Sequence, residues 1–130
     1  FYAGAERMFE RALEYAKARE AFGRPIGRFQ VIRHKFAEMA TKIEAAKQMV
    51  HTTAWRFANG EYPVREITMA KLFASRAAQR IASQCIDLYG GYGFTREYPV
   101  EKLYRDSKIG TIYEGTSNMQ LQTIAKYMLR

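Results

Sequence analysis

Cysteine, histidine and proline are scarce: one, two and three residues among 130. The single Cys85 cannot close an internal disulfide, and it shares an apolar helical row with Ile81 and Leu88, so it reads as a small buried hydrophobe. His34 and His51 are widely separated and have no cysteine or paired carboxylates at ligand spacing, so no metal site is expected. Nucleophilic Ser-His or Cys-His chemistry has equally little support. No apolar stretch approaches the roughly 18 residues a membrane span needs, and no charged-then-apolar leader is present, so no integral membrane segment is expected. Long runs of one charge are also missing. The formal net charge is +8, yet Arg7, Glu10, Arg11, Glu14, Lys17, Arg19 and Glu20 interleave both signs along helical faces, as solvated helix surface does. Nucleic acid is therefore not an expected partner.

What the chain has instead is helical periodicity, with a length suited to about one domain. Phe1, Ala5, Met8, Ala12, Tyr15 and Ala16 give a one-sided first helix over Phe1 to Ala21. Phe22 to Gly27, with two glycines and Pro25, breaks it with a turn of defined shape. A second helix runs from Phe29 through Ile32, Phe36, Met39, Ala40, Ile43, Ala46, Val50, Ala54 and Phe57 to Asn59-Gly60, where a glycine cap ends it. The third starts at Pro63 and keeps Ile67, Ala70, Ala74, Ala77, Ile81, Cys85 and Leu88 on one face until Gly90-Gly91. Its alanines predict close helix packing. Gly90 to Thr116 is the irregular, site-forming stretch, with room for one short helix over Val100 to Ser107. Ser117-Asn118-Met119-Gln120 has capping-box spacing, and Met119, Leu121, Ile124, Ala125 and Met128 form the apolar face of a last helix. The expected architecture is all-α, an up-and-down four-helix bundle. Phe1 to Met8 reads as helix interior with no cap ahead of it, so the chain is expected to be part of a longer one.

Chemistry concentrates at Tyr113-Glu114-Gly115-Thr116-Ser117, where a carboxylate on a glycine turn precedes a helix. Such a Glu has freedom to reach a ligand as a base, and the free N–H groups beside it suit a phosphate-bearing partner. The bland alternative is a solvated loop Glu. In the same way Arg105-Asp106 reads as a structural ion pair.

Arg19-Glu20-Ala21-Phe22-Gly23, Phe29-Gln30, Tyr89-Gly90-Gly91-Tyr92-Gly93-Phe94, Glu97-Tyr98-Pro99-Val100-Glu101, Tyr104-Arg105-Asp106 and Ile112-Tyr113-Glu114-Gly115-Thr116-Ser117, taken in order, resemble the C-terminal helical domain of the acyl-CoA dehydrogenases. The resemblance spans the whole chain. It implies a flavoenzyme with FAD bound between subunits of a homotetramer or dimer, an acyl-CoA substrate, and an electron-transferring flavoprotein as partner. It implies that Glu114 removes the α-proton while the β-hydrogen leaves as hydride, in a site that becomes dry when substrate binds. Arg19 and Phe22 match positions that reach the FAD of a neighbouring subunit, and Gln30 matches a further cofactor contact. Asp87, Gly90 and Gly91 fall in the segment that meets the adenine and phosphate end. Many relatives have Gln where Asp87 stands, and a carboxylate cannot donate the amide hydrogen bond, so Asp87 departs from the pattern at that contact. Thr116, Ser117 and Asn118 match residues holding the flavin's adenosine-diphosphate portion, while Tyr113 and Gly115 border the acyl group. The compartment implied is the bacterial cytoplasm or the mitochondrial matrix.

Two other classes of answer fit parts of the sequence. One is a non-catalytic helical oligomerisation module; the other keeps the fold and changes the reaction to acyl-CoA reduction, oxidation by oxygen, or decarboxylating dehydrogenation. Because much of each site in the family lies outside the helical domain, the 130-residue chain by itself is expected to be inactive and to hold FAD weakly.

Overall fold

The computed structural model describes residues 1–129. Its helices are α1 (Tyr2–Ala18), α2 (Gln30–Ala58), α3 (Val64–Tyr89), α4 (Gly91–Phe94), α5 (Val100–Ile109) and α6 (Ser117–Met128). A hairpin, β1 (Glu20–Ala21) with β2 (Arg24–Pro25), and a 3-10 turn over Ile26–Arg28 join α1 to α2. The all-α expectation holds, with α1, α2, α3 and α6 as the four principal helices.

Helix α3 is the hub, packing against α1, α2, α4, α5 and α6. Its small side chains explain why: Ala70, Ala74, Ala77, Ala78 and Ala82 are buried and let neighbouring backbones approach closely, while Ile81 and Cys85 fill the middle. Clustered with Ile81 and Cys85 are Ala5, Met8, Ala12 and Ala16 of α1 and Phe36, Met39 and Ile43 of α2, and Ala46 of α2 is buried too. Burial stops there. Beyond Ala46, α2 buries no side chain, and Trp55 and Phe57 are exposed. Ala40, Ala54 and Ile67, expected on apolar faces, are likewise exposed, as are Met119, Leu121, Ala125 and Met128 of α6. Among the described residues helix α6 packs mainly against α3, and its outer apolar side stays exposed.

Local chemistry sets the connections. Helix α1 ends at Ala18 rather than Ala21 because Phe22 and Gly23 both take positive φ (+53 and +75), the two-residue hairpin turn that folds Ala21 back onto Arg24. Gly60 at φ +85 ends α2 as its cap requires. On α5 the ion pairs run along the helix, Glu101 with Arg105 at 3.0 Å and Lys102 with Asp106. The expected Arg105–Asp106 pair is therefore corrected: adjacent residues diverge around a helix, and each finds its partner four positions away.

Cys85 is fully buried, its Sγ 3.6 Å from the Met8 carbonyl. Burial pushes the thiol from its ordinary 9.0 up to about 12, and burial also raises Tyr15 and Tyr89. A raised native value means this stability is complete below about pH 9 and is lost as pH climbs toward 12. The denaturation midpoint should fall across that window, less steeply in Cys85→Ala, and the folded thiol should resist thiol reagents at neutral pH.

Candidate active site

Two places gather the candidate residues. The first is the loop between α5 and α6. Glu114 sits at φ +51, a sparsely populated conformation for a residue with a side chain, followed by Gly115 at φ +91. Interactions from below hold this loop in place. Lys71 Nζ, from α3, donates to the carbonyls of Tyr113 (3.1 Å) and Gly115 (2.6 Å). Gln120 Nε2 donates to the carbonyls of Glu114 (3.1 Å) and Gly115 (3.2 Å). A Cβ at Gly115 would meet that Gln120 nitrogen at 2.6 Å and displace it from the loop, and the φ of +91 itself favours glycine.

The Glu114 carboxylate is exposed, with no ion pair or hydrogen bond among the described residues. Among the described residues no protein acceptor meets the N–H groups of Glu114, Gly115 or Thr116 either. One short segment thus presents a free carboxylate beside unused amide donors, the raw materials of a base and an anion cradle. Tyr113 packs its ring edge-on against Phe1 at 6.0 Å. The cap of α6 falls one residue earlier than the capping-box spacing predicts: Thr116 Oγ1 accepts from the Met119 N–H at 3.3 Å. Ser117 instead donates its N–H to the Thr111 carbonyl, and Gln120 turns back to the loop rather than to a cap.

The second place is a cleft of about 420 Å³ between the start of the hairpin and the α3–α4 junction, lined by Arg19, Asp87, Gly90, Gly91, Tyr92 and neighbours. The Arg19 guanidinium lies over the Tyr92 ring, 5.6 Å from its centre. Beneath it Tyr15 and Tyr89 stack at 4.1 Å, and Tyr98 contacts both rings. Gly90 ends α3 at φ +60, and its Cβ side faces open space. Gly93 is confined, since a Cβ there would lie 2.7 Å from the Ile86 carbonyl. Phe22, at the hairpin tip, is 95% exposed although its backbone is strained and its ring apolar. Phe22 meets Phe29 edge-on at 6.2 Å, and Gln30 opens α2 beside it.

The candidate cofactor residues are therefore divided within one chain. Thr116, Ser117 and Asn118 stand with Glu114 over Lys71, whereas Asp87 to Gly91 lie about 24 Å further along α3 at the helical rise per residue. A group such as FAD fits this donor set in part: open glycine backbone, an arginine for a pyrophosphate, and free N–H groups at a helix start. Asp87 is the member that does not match an anion. Lys71 carries no motif and no sequence signal marks it, Gln120 is expected in a cap rather than against the loop, and Tyr92 is given no role although it lies inside the Tyr89 to Phe94 segment.

Comparison with known proteins supplies the family. The profile described as acyl-CoA dehydrogenase, C-terminal domain, matches residues 1–129. The chain is 48% identical over 122 residues to the short/branched chain specific acyl-CoA dehydrogenase, mitochondrial, of Bos taurus, covering 94% of this chain and 28% of that protein. It is 41% identical over 126 residues to the caffeyl-CoA reductase-Etf complex subunit CarC of Acetobacterium woodii, covering 97% and 33%. The solved butyryl-CoA dehydrogenase of Megasphaera elsdenii superposes with a TM-score of 0.97 at 39% identity, over 99% of this chain and 34% of that one. The fold is that of an acyl-CoA dehydrogenase C-terminal domain. The chain belongs to the acyl-CoA dehydrogenase family, and it spans about a third of the length of the relatives it matches.

Proposed function

We propose that the protein carrying this chain removes the α- and β-hydrogens of an acyl-CoA thioester. The observation that carries this reading is the Glu114 loop: a carboxylate at positive φ that is unpaired among the described residues, beside N–H groups that meet no acceptor there. A thioester α-proton is too weakly acidic for an unaided carboxylate, so the charge growing on the carbonyl oxygen needs a donor. The Glu114 N–H supplies it from the same loop, while a Glu114 Oε takes the proton. Tyr113 and Gly115 border the acyl group. FAD, when bound, accepts the β-hydrogen as hydride.

For the cofactor, Thr116, Ser117 and Asn118 offer the start of α6 to its adenosine-diphosphate part, helped by the helix dipole. Arg19, Phe22 and Gln30 present a cation, an exposed ring and an amide at the other end of the molecule, suited to the FAD of a neighbouring copy. Gly90 and Gly91 let backbone approach the adenine end, with Asp87 the weakest of these contacts. The exposed Trp55, Phe57, Tyr62 and Ile67, with an apolar groove of about 420 Å³ lined by Met49, Met69, Leu72, Phe73 and Ile124, support assembly into a homotetramer or dimer. An electron-transferring flavoprotein is the proposed electron acceptor.

Anaerobic mixing of the full-length, flavin-loaded protein with butyryl-CoA should bleach the oxidised-flavin band and yield the 2-enoyl thioester. A second reading, reduction of an enoyl-CoA, is favoured by the likeness to the Acetobacterium woodii reductase subunit. Bleaching by butyryl-CoA at a rate negligible beside flavin reoxidation by crotonyl-CoA would replace the first reading with the second. Turnover by the 130-residue chain alone would overturn the expectation that it is incomplete.

A further inference from the structure

We propose that Lys71 is a positioning residue for this reaction, aiming the Glu114 N–H at the thioester; the proposal rests on Glu114 being the base. In a trans peptide the carbonyl of one residue and the N–H of the next point in opposite directions. Drawing the Tyr113 carbonyl onto Lys71 Nζ (3.1 Å) therefore turns the Glu114 N–H away from α3. Drawing the Gly115 carbonyl onto the same nitrogen (2.6 Å) turns the Thr116 N–H away likewise. Gln120 completes the set by holding the Glu114 carbonyl, which faces the Gly115 N–H outward. Among the described residues all three N–H groups lack a protein acceptor, in keeping with this geometry.

The ammonium does two things a neutral group would not. Its charge-assisted bonds stabilise the positive φ of Glu114, a conformation that persists only when its surroundings enforce it. It also polarises the Tyr113–Glu114 peptide from its carbonyl side, strengthening the N–H that meets the developing oxyanion. Lys71 is half-buried one residue from the buried Ala70, so its stem lies along the bundle while its head reaches the loop.

The test uses the full-length, flavin-loaded protein with butyryl-CoA as probe. Lys71→Met should keep its flavin and lower kcat per bound flavin by about 100-fold, with KM changed by less than about threefold, the pattern of a lost transition-state donor. Hydrogen exchange across residues 111–120, which needs no substrate, should quicken in Lys71→Met and stay near wild type in Lys71→Arg, where kcat should largely return. Unchanged kcat per flavin in Lys71→Met, with lowered thermal stability alone, would leave Lys71 a structural residue and overturn the proposal. If the Met variant does not fold, Lys71→Gln against Lys71→Arg decides: the neutral, shorter amide should be slow and the guanidinium active, and equal rates overturn it. Full activity in Glu114→Gln would remove the base reading and this proposal together. Loss in Glu114→Gln with wild-type kcat and exchange in Lys71→Met would remove only the role of Lys71.

Discussion

Glu114→Gln in the full-length protein should stay yellow and lose turnover by roughly 10⁴-fold, the upper range of what a positioned base contributes. The amide has nearly the size of the carboxylate and leaves the backbone N–H in place, so it deletes proton acceptance and little else. Because the Glu114 side chain bonds to nothing among the described residues, its replacement releases no buried partner and should leave the loop intact. Flavin content, read from the absorption spectrum, separates this outcome from misfolding. Turnover within about tenfold of wild type would assign the proton to another group, because residual catalysis of that size needs a working base.

Ile81→Ala should have the largest effect on stability, about 2–5 kcal/mol from lost transfer energy and the cavity left behind. Ile81 is fully buried on α3, in a cluster with Met8, Phe36, Met39, Ile43, Cys85 and several alanines. The alanines in that cluster cannot lean in to fill a void, while Met8 and Met39 can shift in part, which sets where in that range the loss falls. Ile81→Val, with one methylene removed, should cost about 0.5–1.5 kcal/mol and serve as the graded control. Urea midpoints measure both. A loss below about 1 kcal/mol in the alanine variant would show that the hub collapses more easily than its packing indicates.

Periodicity in the sequence marked the long helices well because each buries a face against a neighbour in the same chain. It failed where nothing among the described residues packs on the apolar face: Phe57, Ile67, Leu121 and Met128 repeat at helical spacing yet lie exposed. Apolar spacing marks a helical face and does not by itself say whether that face is buried. The hairpin after α1 was legible only as a turn, since Phe22 at positive φ breaks the local preference that would have located it.

By itself the sequence determined the all-α class, the helix order, the buried row of α3, and the loop on which a carboxylate precedes the last helix. These depend on spacing and on residues close in the chain. Only the tertiary structure decided that Lys71 lies under that loop, that Arg19 shares a cleft with Asp87 and Gly90, and that the two groups stand at different levels of α3. Such pairings join residues more than forty positions apart, and their geometry follows from how helices pack, which no local pattern encodes.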